Sequence, residues 1–288
     1  MLDNLISGSK KFVHPKAQFI WCDITHSEDE LYRIFQKHCV EFIFNYAAEP
    51  YIPVSFERPK HVIDINFNGA FNVLQAGSRA NVQGILQVSS AEIYGAVDGK
   101  IKESDVANPH STYGVTKLAI DHMVQVRWKE AGTKAIAMRQ FNCVGERETH
   151  PYVIPEIIEQ ISDNAPHAVD GKLEVLLGNN SSRDFQYAGD AVRMAVDLLE
   201  NGEFGEVYNM GSESTIKIYD LAVTIGKLMG IEVLVTESGP RKRPWEIWHL
   251  QSDNTKLYKV ISSRPEVSLE EALKRTIADY QKNKWIYE

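Results

Sequence analysis

Short apolar runs alternate with amphipathic stretches through the first half of the chain, the pattern of a parallel sheet joined by crossover helices. Gln18-Phe19-Ile20-Trp21-Cys22 reads as a strand ending at Asp23. Ser27-Glu28-Asp29-Glu30 carries a helix-capping signature, and Leu31, Ile34 and Phe35 follow at helical spacing. Glu41 to Tyr46 is the next strand, closing on Ala47-Ala48. One long helix is predicted after Pro59, with Val62, Ile65, Ala70, Val73 and Leu74 on its apolar face. Gly84-Ile85-Leu86-Gln87-Val88 reads as a buried strand. A further helix runs through Ile120, Met123 and Val124 to a stop at Gly132, and Lys134 to Met138 is a strand ending at Arg139.

The pattern changes after Gly145. Pro151 and Pro155 punctuate a loop leading into a short helix, Glu156 to Ile161. Beyond it come short β-like runs and further helices, one built on Leu269, Ala272, Leu273, Thr276 and Ile277. This reads as a smaller lobe that closes over substrate, with a soft boundary near residue 146.

Tyr113 and Lys117 are the most informative pair. Four residues apart on a helix, they project from one face and can touch one ligand. A fixed ammonium beside a phenol favours phenolate, so Lys117 is expected to lower the Tyr113 pKa and fit it to accept a hydroxyl proton. Tyr-x-x-x-Lys is common by chance. Here it follows Ser89-Ser90-Ala91-Glu92-Ile93-Tyr94-Gly95, where a strand end delivers hydroxyls and a carboxylate to a ligand edge.

Those two segments, with Arg139-Gln140-Phe141-Asn142 and Arg183-Asp184-Phe185, resemble the extended short-chain dehydrogenase/reductases, and within them the NAD-dependent nucleotide-sugar epimerases and dehydratases. The resemblance covers nearly the whole chain. It implies an α/β fold: a Rossmann-like doubly wound parallel sheet with a smaller C-terminal substrate-binding lobe. It places an NAD-binding domain at 1–146, with segments near 183–211 returning to it, and the substrate-binding lobe at 147–288. The opening strand and glycine-rich turn of the family have no counterpart here, because Met1 to Leu5 is similar to the end of the second strand. Removing a central strand leaves two rows of unpaired backbone groups facing a gap. A truncated product of a longer gene is therefore expected, with weak or no NAD binding by the chain as it stands.

The resemblance also implies the site. Asp3 and Asn4 fall where the adenosine ribose is held, and a carboxylate there favours NAD over NADP; a frayed-terminus aspartate is the alternative. Asp23 with Ile24 matches the pair at the adenine edge, or a plain strand-end turn. Tyr46, Ala47 and Ala48 match a loop of small side chains beside the cofactor, Asn66 a residue that props the active-site strand, and Phe141 a position at the cofactor. Ser90 matches the catalytic hydroxyl that bonds the substrate O4. Tyr113 is the proton acceptor, and Lys117 holds the nicotinamide ribose. Asn142, Arg183 and Arg243 match the residues that grip a nucleotide diphosphate, for which guanidinium forks are suited. Arg241 and Lys242 read as a solvated turn and His150 as a surface histidine. The family's members commonly form a homodimer through two long helices, here the one after Pro59 and the one carrying Tyr113.

Glu92 decides between chemistries. It stands where dehydratases keep the base for H5, yet a solvated strand-end carboxylate is an equal reading. Pro50 replaces the lysine usual in galactose epimerases, a small tilt to a 4,6-dehydratase-like reaction over a UDP-hexose 4-epimerase-like one. A non-catalytic protein on the same fold is the remaining alternative; retention of both Tyr113 and Lys117 argues against it.

Bulk properties alter little. The 288 residues, 43% of them hydrophobic, can bury a large core, and a net charge of −8 does not suggest a nucleic-acid surface. Three widely spaced cysteines draw neither a disulfide framework nor a metal knuckle, and the nine histidines show no zinc spacing, so no metal is expected. No apolar run approaches the ~18 residues of a membrane span and no signal-peptide core opens the chain. The cytoplasm is the expected location.

Overall fold

The computed structural model describes residues 1–148, 151–238 and 245–283. Arg241, Lys242, Arg243 and His150 lie outside them. The chain forms two compact units. The first comprises residues 1–93, 109–139 and 199–208; the second comprises 94–108, 140–198 and 209–288.

In the first unit, β1 (Leu2–Asp3) pairs parallel with β2 (Ile20–Trp21). Helix α1 (Glu28–Lys37) starts where its sequence signature placed it: the Ser27 side chain accepts from the Glu30 N–H at 3.4 Å. β3 (Phe42–Asn45) follows, then α2 (Ile52–Glu57). The single helix predicted after Pro59 is broken into α3 (Pro59–Ile63), a π-helical stretch Asp64–Gly69, and α4 (Ala70–Arg79). Two long-range contacts sit at the break. The Asn66 amide donates to the Glu49 carbonyl at 3.0 Å and accepts from the Glu49 N–H at 2.7 Å. At Gly69 an added Cβ would lie 2.7 Å from the Ile24 side chain, so the backbone approaches the turn after β2 more closely than a residue with a Cβ allows. β4 (Gly84–Ser90), α5 (Thr112–Ala131) and β5 (Ala135–Gln140) complete the succession. Helix α5 is capped by Ser111 and ends at Gly132, whose φ of +63° is the left-handed close its sequence predicted.

The main sheet runs β3-β4-β5-β9, with β9 at Val207–Met210 and β3 parallel to β4. The β1-β2 pair is a separate sheet. Leu31 and Phe35 of α1 and Val73 and Ala76 of α4 form one apolar cluster, on which both Leu2 of β1 and Ile43 of β3 pack. The two sheets thus share a helical layer on one face without sharing backbone hydrogen bonds. Ile85 and Leu86 of β4 are fully buried, whereas Phe42 and Phe44, which alternate with Ile43 along β3, are exposed, as is Trp21.

The second unit contains β6 (Asn142–Val144), α6 (Val153–Asn164), β7 (Lys172–Leu177), β8 (Ser182–Tyr187) and most of α7 (Ala188–Asn201). It continues with β10 (Thr215–Lys217), α8 (Ile218–Leu228), β11 (Glu232–Glu237), β12 (His249–Leu250) and α9 (Leu269–Asn283). β8 is the hub, pairing with β10, β12 and β6, while β7 pairs parallel with β11. Ile157 and Ile161 of α6, Leu221 and Ile225 of α8, and Leu273 and Ile277 of α9 close one core over these strands. Asp184, fully buried on β8, accepts from the N–H groups of Ser212 (2.7 Å), Glu213 (3.0 Å) and Ser252 (3.0 Å) and from both serine hydroxyls (2.6 Å each).

No helix among the described residues is long and apolar enough to cross a membrane.

Candidate active site

The end of β4 and the first turn of α5 build the site in the first unit. Beyond Ser90 the chain tightens into a 3-10 turn, Ala91–Tyr94, as the Glu92 N–H donates to the Ser90 hydroxyl at 3.2 Å. Gly114 lets α5 come up against this turn: a Cβ there would lie 2.9 Å from Pro109 and 3.2 Å from the Glu92 carbonyl. The Ser111 hydroxyl accepts from the Gly114 N–H at 3.0 Å and fixes the helix start. Tyr113 is thereby brought to Ser90, whose hydroxyl acts on its phenol together with the Glu92 charge. Ser90, Glu92, Tyr113 and Lys117, predicted together, are thus close neighbours.

The direction of the Tyr113 shift is the opposite of that expected. Burial pushes the phenol up to about 12; the Ser90 bond works against this and the Glu92 charge adds to it. Lys117 is buried too, and burial pushes its ammonium down to about 8 against the opposing pull of Asp121. Its Nζ donates to the Val88 carbonyl at 3.1 Å and lies 5.7 Å from the Tyr113 ring centroid. Desolvation of a phenolate outweighs a cation held by another acceptor, so the structure holds Tyr113 as a neutral phenol.

The cofactor-side residues lie at the carboxyl ends of β1, β2 and β3, the edge where doubly wound sheets bind ligands. Asp3 Oδ1 accepts from the Leu5 N–H at 2.6 Å, and a Cβ on Gly8 would meet the same carboxylate at 3.0 Å. The Asn4 amide donates to Asp23 at 2.9 Å, and Thr25 donates to Asp23 from N–H and hydroxyl. Burial works to raise the Asp23 pKa, but these bonds prevail and hold the carboxyl below its ordinary value. Ile24 is buried, Tyr46 is exposed, and the Ala47 N–H is tied to the Asn45 side chain at 3.3 Å. Ala48 follows in the same loop. Asn66 braces that loop at Glu49, rather than the strand bearing Ser90. Carboxylates, small loop residues and a buried lysine suit the two ends of a dinucleotide. Among the described residues no glycine-rich turn stands between β1 and β3 to receive a pyrophosphate.

The second unit holds the remaining predicted residues. Asn142 is exposed on β6, and buried Phe141 donates its N–H to the Met210 carbonyl at 2.9 Å. The Arg183 guanidinium on β8 donates to Glu246 at 2.7 Å and to the Ser182 carbonyl at 3.0 Å, while Asn179 donates to the same carboxylate at 2.6 Å. An internal carboxylate therefore sits on the arginine expected to meet phosphate.

Three residues escaped the sequence reading. Asp184 lies inside the Arg-Asp-Phe motif, which pointed only to its neighbour. Glu148, in the loop after Gly145, has its carboxyl pushed up to about 8 by burial, against one bond from the Gly145 N–H. Asp121, fully buried, accepts from Arg139 Nε at 2.6 Å. Its place four residues after Lys117 on one helix face was a legible signal. No group of three or more His, Cys, Asp or Glu that could hold a metal occurs among the described residues.

Comparison with known proteins matches this arrangement to a family. The sequence model of the family described as GDP-mannose 4,6 dehydratase matches residues 1–276. A GDP-6-deoxy-D-mannose reductase of Pseudomonas aeruginosa is 27% identical over 244 residues, covering 83% of this chain and 80% of that protein. A putative UDP-glucose 4-epimerase of Methanocaldococcus jannaschii is 27% identical over 291 residues, covering 98% and 90%. The crystal structure of a Thermotoga maritima UDP-glucose 4-epimerase with UDP-glucose superposes with a TM-score of 0.88 at 24% identity, covering 98% of this chain and 90% of that one. That likeness establishes the Rossmann-like fold.

Proposed function

This chain belongs to the GDP-mannose 4,6 dehydratase family of NAD-dependent nucleotide-sugar enzymes, and we propose that it oxidises a nucleotide-diphosphate hexose at C4 and then dehydrates it. The observation that carries this reading is the buried Tyr113 phenol on which the Ser90 hydroxyl and the Glu92 charge both act, with Lys117 Nζ 5.7 Å from its ring centroid.

NAD would be held by Asp3, Asn4, Asp23, Ile24, the Tyr46-Ala47-Ala48 loop and Lys117, and it would supply the acceptor and later donor of hydride. Ser90 orients the substrate O4 and Tyr113 takes its proton. A neutral phenol near pKa 12 is a poor base, so a cation must approach its oxygen more closely for the transfer to proceed. Lys117 is the cation in reach, and moving its Nζ from the Val88 carbonyl towards the phenol is the adjustment required. Once C4 is a ketone, H5 becomes acidic. Glu92 removes it and passes that proton to the C6 hydroxyl, which leaves as water; the hydride taken from C4 would then return to C6 and a proton to C5, giving the 4-keto-6-deoxy sugar. Arg183, in the second unit, would exchange its bonds to Glu246 for phosphate oxygens on meeting a diphosphate.

A 4-epimerase is the second reading, favoured by the relative that spans 98% of the chain. It needs Ser90, Tyr113 and Lys117 but no base at C5. Glu92→Gln keeps the shape and removes the basicity, so it separates the two. A dehydratase exchanges H5 with deuterated water, and the variant loses both that NMR-visible exchange and the 4-keto-6-deoxy product. Interconversion of C4 epimers by the wild type without deuterium uptake would overturn the dehydratase reading.

Val115 and Val126, eleven residues apart and so on one face of α5, are exposed, as is Ile63 on α3. These apolar positions support a homodimer through the two helices.

A further inference from the structure

Lys117 sits on the buried face of α5, and the next turn of the same face carries Asp121. Asp121 is fully buried and Arg139, on β5, is nearly so; their side chains meet at 2.6 Å. Between them and the site lies Ser89, whose hydroxyl donates to the Lys117 carbonyl at 3.3 Å. A buried ion pair is weak evidence for stability, since a well-packed apolar pair of similar volume serves as well or better. Its position behind the site's one buried ammonium gives it a different use.

We propose that Asp121 is a positioning residue for the Tyr113–Lys117 pair: clamped by Arg139, its carboxylate keeps a negative charge one helical turn behind the Lys117 ammonium. The inference rests on the enzymatic reading of that pair and deepens it.

The surroundings determine the sign. Lys117 is enclosed by Tyr113 and Asp121 on α5 and the Val88 carbonyl on β4, with Arg139 on β5 behind Asp121. His122 on α5 acts on Asp121, and Glu92, beyond β4, acts on Tyr113. Burial alone drives the Lys117 proton off, and Asp121 is the charge that opposes it. Burial raises the Asp121 pKa above its ordinary value, and the Arg139 guanidinium, never deprotonated and bonded at 2.6 Å, opposes that rise together with the Ser89 hydroxyl, favouring the charged carboxylate. Without Asp121, Lys117 would lose its charge around neutral pH, and with it the cation that stabilises a Tyr113 phenolate. Arg139 serves twice, favouring the ionised Asp121 and fixing where its charge stands.

The test reads Lys117 directly. The 13Cε shifts of lysine-labelled protein are followed from about pH 6 to about 11, with the Lys117 signal assigned by its loss in Lys117→Arg. The wild-type midpoint is expected near 8, and in Asp121→Asn it should fall by about one pH unit or more. Should the single variant not fold, Asp121→Asn/Arg139→Gln replaces the ion pair by a neutral amide pair, and its midpoint should fall by less than one unit but measurably. A plain structural brace would lower the melting temperature and leave the midpoint in place. An unchanged midpoint in a folded variant overturns the proposal. Because the titration requires neither substrate nor NAD, its failure is distinct from a failure of the enzymatic reading.

Discussion

Lys117→Met should stabilise the protein at pH 7 while removing the cation next to Tyr113. The drop of the ammonium from its ordinary 10.5 to about 8 means that the folded state binds this proton less tightly than the unfolded chain does. At ~1.4 kcal/mol per pH unit, keeping Lys117 charged in the core costs about 3 kcal/mol at pH 7. Methionine has nearly the same length and no charge, so the cost disappears. Loss of the bond to the Val88 carbonyl gives back about 1 kcal/mol, leaving a net gain of about 2 kcal/mol. The sign is fixed by linkage. A lowered folded pKa contributes stability that is present above the unfolded value of 10.5 and lost as pH falls through about 8. The wild type should therefore gain stability between pH 8 and 10.5 and the variant should not, so the gap between them closes. Above pH 10 the raised Tyr113 pKa works the other way in both proteins, because stability is lost as pH climbs from 10 through about 12. Urea denaturation followed by circular dichroism at about pH 7 and about 9.5 reads the gap on either side of the Lys117 transition. A variant no more stable at pH 7, or a gap that does not narrow with pH, would refute the argument that burial dominates this site.

Gly205→Ala should destabilise the first unit by about 2 kcal/mol or more, since Gly205 has φ +82° and an added Cβ would lie 2.3 Å from the Trp128 indole; thermal melting with tryptophan fluorescence checks it, and an unchanged melt contradicts it. Asp184→Asn turns one acceptor of five converging bonds into a donor facing donors, at about 3 kcal/mol, and proteolysis of the Gly211–Glu213 turn should speed up with it; a melting temperature equal to wild type would show that those bonds are replaceable.

Much of the first unit was legible because its signals are local. The Ser27 cap, the Gly132 stop and the alternation of apolar runs with amphipathic helices each depend on a few neighbouring residues. The Ser90, Tyr113 and Lys117 grouping was legible for a related reason: a strand end followed by a helix start brings them together whatever the rest of the chain does.

What tertiary structure decided was long-range and electrostatic. The break in the helix after Pro59 needs Asn66 to reach Glu49 and Gly69 to meet Ile24, and no local pattern announces either. Arg183 finds Glu246 across 63 residues, through a pairing with β12 that periodicity does not encode. The ionisation of the central pair shows the division most clearly. Sequence alone placed an ammonium beside a phenol and so implied phenolate. How deeply each group is buried, and that Lys117 turns to a backbone carbonyl with the Asp121–Arg139 pair behind it, depends on packing α5 against β4 and β5. Desolvation is a property of that assembled interior, and it reversed the sign that charge proximity alone would have set.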